Sequence, residues 1–157
     1  MKYHLAQTNI ARFKASLDSP LMKEFVDFLE PVNRFAEESN GFVWRLKDQE
    51  GRSASYIETP FKDEMMAVNI SLWEDVESFK HFVYGSVHSY FLRNKKKWFD
   101  MGGTSIFVMW WLPEGSLPTL ETAKAKLDAY EKNGASPEAF TFKTFYDAKG
   151  NLIDTLV

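Results

Sequence analysis

Ser105-Ile106-Phe107-Val108-Met109-Trp110-Trp111-Leu112 is the strongest strand signal in the chain, apolar at successive rather than alternate positions. Neighbouring residues of a strand point to opposite faces of its sheet, so a run of this kind requires both faces to be covered. Helices of the same chain can cover one face. The other is expected to be covered by a second copy, because a doubly apolar strand cannot leave it in water, and a homodimer follows as the expected assembly. Trp110 and Trp111 must look to opposite sides, so at most one of them lines any given cavity.

Upstream, Met66 to Trp73 sets Met66, Val68, Ile70 and Leu72 against Ala67, Asn69, Ser71 and Trp73, a strand whose second face carries polar groups among apolar ones. The segment Asp48 to Asp63, with Gly51, Ser53, Ser55 and Pro60, reads as a long connection with room for a short strand at Ser55 to Thr59. Phe42 to Lys47 alternates Phe42, Trp44 and Leu46 against Val43, Arg45 and Lys47 and is predicted to be a strand. Before it, Asp18-Ser19-Pro20 opens a helix with Ser19 as N-cap and Pro20 at the first helical position. Leu21, Phe25, Phe28, Leu29, Val32, Phe35 and Ala36 form its apolar face, Pro31 is expected to kink it, and Asn40-Gly41 ends it. Tyr3 to Ala11 is read as the first strand.

Between the two central apolar strands, a second helix is predicted from Asp75 to about Phe99. Asp75 serves as N-cap, Gly85-Ser86 is a bending point, and Arg93, Lys95, Lys96 and Lys97 complement the macrodipole at the end. After Leu112, Pro113, Gly115 and Pro118 end the strand, and Thr119 caps a third helix with Glu121, Glu131 and Lys132 on its solvent side. The tail from Ala139 is extended, with a hairpin turn at Lys149-Gly150-Asn151. The main order is strand, helix, strand, strand, helix, strand. That is the α+β, ferredoxin-like βαββαβ plan, here one domain over residues 1–157 with a core at 3–112 and an extension at 113–157.

At 157 residues the chain is long enough to bury a core, and its 16% aromatic content exceeds what that core needs, so some rings should line a cavity or an interface. A net charge of −3 gives no attraction for nucleic acid or an anionic membrane. The absence of cysteine excludes disulfides, thiolate nucleophiles and Cys-ligated metal. No signal-like or membrane-spanning run occurs, and the cytoplasm is the expected location.

The strings Asn9-Ile10-Ala11-Arg12, Gly41-Phe42-Val43-Trp44-Arg45-Leu46, Asn69-Ile70-Ser71-Leu72-Trp73-Glu74-Asp75, Trp110-Trp111-Leu112-Pro113 and Pro137-Glu138-Ala139-Phe140-Thr141-Phe142 occur together and in order. In these the chain resembles the family known as domain of unknown function 3291, from Tyr3 to Phe142. That family is similar to the dimeric α+β-barrel superfamily, which includes antibiotic-biosynthesis monooxygenases and haem-degrading monooxygenases. The resemblance implies a dimeric barrel and a cavity between sheet and helices, and it admits cofactor-free oxygenation, haem chemistry or simple small-molecule binding.

In haem-degrading relatives a histidine of the second helix ligates iron, while an asparagine of the first strand and an aromatic of that helix face the porphyrin. The matching positions here are His88, Asn9 and Phe82 or Tyr84, with Phe82 or Tyr84 standing where those relatives carry tryptophan. No cofactor is expected in the leading reading, and haem is the alternative. His81 and His88 lie seven residues apart, not at the four-residue spacing of a helical metal pair, so no metal site is expected.

For oxygenation the candidate catalytic residues are His88, Asn9 and Asn69. Arg45, Ser71, Trp73, Phe82 and Tyr84 are candidates to hold a planar or aromatic ligand. Arg45 is also expected to snorkel or to pair with Glu74. The competing expectation is a non-catalytic binding or structural dimer whose aromatics serve packing and the interface. No phosphate loop, serine-hydrolase elbow or zinc-protease helix motif is present.

Overall fold

The computed structural model describes residues 2–47, 66–85, 93–94, 97–100 and 106–153. Strand β1 (Tyr3–Phe13) is the centre of an antiparallel sheet. It pairs on one side with β3 (Met66–Trp73), which pairs in turn with β2 (Phe42–Arg45). On its other side β1 takes β4 (Phe99–Asp100) at Arg12 and Phe13, and β5 (Ile106–Pro113) over Tyr3 to Ile10. The four main strands therefore lie in the order β2-β3-β1-β5, the ferredoxin-like arrangement the sequence predicts. The proposed strand at Ser55 to Thr59 lies outside the described residues.

Three helices pack on this sheet. A single 3-10 turn at Pro20–Met22 leads into α1 (Lys23–Glu38), which contains Pro31. Ser19 makes no side-chain cap, contrary to expectation, and its buried hydroxyl has no partner. Helix α2 (Val76–Val83) does start on Asp75, whose carboxylate accepts from the Ser78 N–H at 2.8 Å. It was expected to run to about Phe99. The helix is interrupted at Gly85, beside the expected bending point, where a side chain would collide with the Phe35 ring; residues 93–94 are again helical, and the correction is at the end, where Phe99 is already a strand residue hydrogen-bonded to β1. Helix α3 (Leu120–Asn133) is capped by Thr119, which accepts from the Thr122 N–H at 3.0 Å. The tail forms the expected hairpin, β6 (Phe145–Tyr146) with β7 (Leu152–Ile153), turning through Gly150 at φ 85°.

Both faces of β5 are buried, but not for the reason the sequence suggested. The outer face, with Ala6, Val68, Ile70, Leu72, Val108 and Trp110, is closed within one chain, and Ala123 and Leu127 of α3 and Ala139 belong to the same cluster. The inner face takes α1 and α2 over β1 and β3, and the tail aromatics Phe140 and Phe145 join Leu5, Trp73 and Met109 there. The free edge of β5 is occupied at one point by Phe140, whose N–H and carbonyl exchange bonds with Met109 at 3.0 and 2.7 Å. The solvent penalty from which pairing of two copies was inferred is thus met by the extension at 113–157.

A second correction lies in β2. Phe42 and Trp44 were expected on one face, but a bulge between them sets Phe42 opposite Trp73 and Trp44 opposite Leu72. Phe42 therefore joins the inner aromatic cluster and Trp44 the outer one, and Arg45 comes to lie opposite Ser71 on the inner face.

Candidate functional site

The inner face of β1 and β3 is a ladder of four rows. Leu5 lies opposite Trp73, Gln7 opposite Ser71, Asn9 opposite Asn69, and Ala11 opposite Ala67. Large apolar, polar and small residues follow one another along it. The alternation of β3 was readable in the sequence, and its polar face indeed turns toward α1. Because Ala11 and Ala67 have only methyl groups and Ala36 of α1 is equally small, the helix cannot close onto the sheet here, and a cavity of about 110 Å³ remains.

Phe25, Phe28, Leu29 and Val32 of α1 form its roof, Phe82 of α2 and Phe99 of β4 its apolar walls, and Asn9, Asn69, Ser71, Asn33 and Arg45 its polar surface. Asn9 is exposed and Asn69 half-buried, so the cavity opens to solvent at that row, while Ser71 and Gln7 lie at its buried end. An apolar cleft with a few convergent polar groups is the usual form of a small-molecule site.

The polar end is tightly bonded. Gln7 Nε2 donates to Ser71 Oγ at 2.7 Å and to Asn69 Oδ1 at 2.8 Å, and Trp73 Nε1 donates to Ser71 Oγ at 2.8 Å. Trp73 is fully buried and stacks on Phe82 at 5.2 Å, so the wall and the hydrogen-bond donor are locked to each other. The Arg45 guanidinium is buried beside Ser71, with Nε 3.6 Å from Glu37 Oε1, and Lys47 Nζ is 3.9 Å from the other oxygen of that carboxylate. Glu37 thus lies between two cations. Among the described residues, Arg45 pairs with Glu37 rather than with the expected Glu74, because Arg45 faces α1 and not the start of α2.

Of the candidates from sequence, Asn9, Asn69, Arg45, Ser71 and Phe82 come together around the cavity. Trp73 does not line it but holds Ser71. Tyr84, a ligand-binding candidate, is 65% exposed just after α2 and is not among the described lining residues. His88 lies outside the described residues. Sequence reasoning missed Gln7, which looks like an ordinary strand residue until its register with Ser71 is known. It also missed Ala11 and Ala67, whose smallness is the reason the cavity exists.

Among the described lining residues there is no carboxylate or imidazole, so the arrangement can orient a ligand and stabilise negative charge, while a proton must be taken up elsewhere. No group of His, Cys, Asp and Glu suited to a metal ion occurs among the described residues. The haem expectation rests on His88, which lies outside the described residues. Among the described residues no helix is long and apolar enough to cross a membrane.

Comparison with known proteins gives the same architecture. Protein SO0527 from Shewanella oneidensis is 4% identical, with 71% of this chain and 93% of that chain covered at a TM-score of 0.52. A conserved protein from Methanosarcina mazei Go1 is 7% identical, with 68% and 90% covered at 0.51. SnoaB, a cofactor-independent oxygenase from Streptomyces nogalater, is 14% identical, with 74% and 98% covered at 0.47. At such identities the likeness to the first two concerns the fold alone, and that to the third, with a TM-score under 0.5, carries no argument. No curated protein matches. The family model described as domain of unknown function (DUF3291) matches residues 4–154, which is nearly the whole chain, and the protein belongs to that family.

Proposed function

We propose that this protein binds a small aromatic or planar ligand in the cavity between α1 and the inner face of the sheet. The observation that carries the reading is the combination, in one open cavity, of Phe25, Phe28, Val32 and Phe82 as apolar surface with Ser71 and Arg45 at the buried end and Asn69 beside the opening. A core designed only to pack would place an apolar side chain where Ala11 and Ala67 leave room, because close packing is worth more than an open cleft. The volume is below that of a closed benzene cavity, so a single ring would fit only with its substituents reaching out through the open row at Asn9.

Monooxygenase-like chemistry is the second reading. What favours it is the pair of donors that Ser71 and Asn69 turn to the cavity, since an aromatic ring held as its anion is the electron-rich species that reacts with oxygen. In that reading Ser71 and Asn69 hold the ligand's oxygen, Asn9 stands at the opening, and a base outside the described lining takes the proton.

The test is calorimetric titration of single-ring aromatics into the parent and into Ala67→Leu, which fills the cavity floor with apolar atoms. Binding to the parent and loss of at least tenfold in affinity in a variant that melts no lower than the parent are expected. Equal binding by both would place the ligand elsewhere and overturn the proposal.

A further inference from the structure

We propose that the cavity recognises an anionic oxygen carried on an aromatic ring, that the Ser71 hydroxyl is the donor that reads it, and that Gln7 and Trp73 are the residues that aim that hydroxyl. This rests on the cavity being a ligand site. The argument is a count of hydrogens and lone pairs. A serine hydroxyl has one hydrogen to give and two lone pairs to receive with. At Ser71 both lone pairs are engaged, one by Gln7 Nε2 at 2.7 Å and one by Trp73 Nε1 at 2.8 Å. The indole N–H is a donor only, so that bond has a fixed sense. The hydroxyl hydrogen is left to point out of the network, and Ser71 lines the cavity.

Asn69 is set in the same way. Its Oδ1 accepts from Gln7 Nε2 at 2.8 Å, which leaves its amide hydrogens for the cavity. Gln7 spends both Nε2 hydrogens in holding its two neighbours, and it is 4% exposed, so its amide is not free to follow the solvent. On the far side of Ser71 in the same row stands Arg45, a donor and a cation. Among the described lining residues, Ser71 and Asn69 therefore both present donors to the cavity. That pattern complements an oxyanion and leaves a ligand hydroxyl without an acceptor. The reverse orientation of the Gln7 amide would make Ser71 and Asn69 its donors and turn Asn69 Oδ1 to the cavity, so Gln7 sets the polarity of the whole end.

The experiment uses the full chain with 4-nitrophenol, whose neutral and anionic forms absorb at different wavelengths, and 4-nitrotoluene, the same shape with a methyl in place of the hydroxyl. At a pH where free 4-nitrophenol is mostly neutral, adding protein is expected to raise the phenolate band. Its affinity is expected to exceed that of 4-nitrotoluene by about tenfold or more, the worth of a hydrogen bond to a charged group. Ser71→Ala should lose about tenfold for 4-nitrophenol and change 4-nitrotoluene by less than twofold. Gln7→Glu, which can only accept from Ser71, should abolish the phenolate band while 4-nitrotoluene still binds. Equal affinity of the parent for the two ligands with no phenolate band would overturn the donor assignment and leave the cavity as an apolar site. Failure of both to bind would overturn the ligand site itself. The parent's spectrum decides between these even where a variant does not fold.

Discussion

Leu127→Ala asks whether α3 is a structural cover of the sheet. Leu127 is 3% exposed and packs in the outer cluster with Ala6, Ile70, Val108 and Trp110. Removing a buried leucine side chain to alanine costs about 2–5 kcal/mol, the spread reflecting how far the site can collapse. Leu127 lies at the seam between one helix and the sheet, where α3 can settle into part of the space, so the lower part of that range, about 2–3 kcal/mol, is expected. Helix propensity acts in the opposite direction, since alanine is the best helix former. The sign therefore discriminates: a helix merely resting on the surface would be unchanged or slightly stabilised, and a docked one loses stability. With a urea slope of about 2 kcal/mol/M, the unfolding midpoint should fall by about 1–1.5 M. Trp110, in the same cluster, makes tryptophan fluorescence a suitable readout. A midpoint within about 0.3 M of the parent, with unchanged slope, would refute the cover.

Gly41 has φ 82°, and a side chain there would overlap the Ser78 Cβ, which cannot swing aside. Gly41→Ala is therefore expected to cost about 2 kcal/mol and lower the melting temperature by about 4–8 °C, measured by calorimetry, and an unchanged melting point would count against the close approach of the two elements. In the hairpin turn, the backbone N–H of Asn151 holds the Asp147 carboxyl below its usual range, helped by the N–H of Lys149 and opposed by partial desolvation. A folded-state value below the unfolded one of about 3.9 means that this turn contributes its full stability above that pH and loses it as pH falls through the lower folded value. Carbon-detected titration of Asp147 should show a midpoint below the ordinary carboxylate range, and a midpoint at or above it would contradict the bonding of the turn.

Much of the fold was legible because it rests on local period and capping. The alternation at Met66 to Trp73 correctly separates the core face from the polar face, and Asp75 and Thr119 correctly mark two helix starts. What was not legible depends on register and on partners distant in sequence. The bulge after Phe42 reverses the face of Trp44 with no local signal, and Arg45 meets Glu37 only because α1 crosses β2. Phe99 fits a helix by its neighbours' composition and a strand by its pairing with Phe13, and the pairing prevails. The doubly apolar strand rightly demanded cover on both sides, but composition does not say whose residues provide it. For the site, Asn9, Arg45, Asn69, Ser71 and Phe82 could be found as polar or aromatic residues on the predicted inner elements. Gln7 could not, since its role exists only through its bonds to Ser71 and Asn69.

The central claim is that a ring occupies the space over Ala11 and Ala67. Its most direct test is to record intermolecular nuclear Overhauser effects between a bound single-ring phenol and the protein. The account predicts contacts from the ring protons to the side chains of Ala67, Val32 and Phe82. Contacts confined to exposed apolar residues such as Leu21, Tyr84 or Leu117, with none to Ala67, would contradict it.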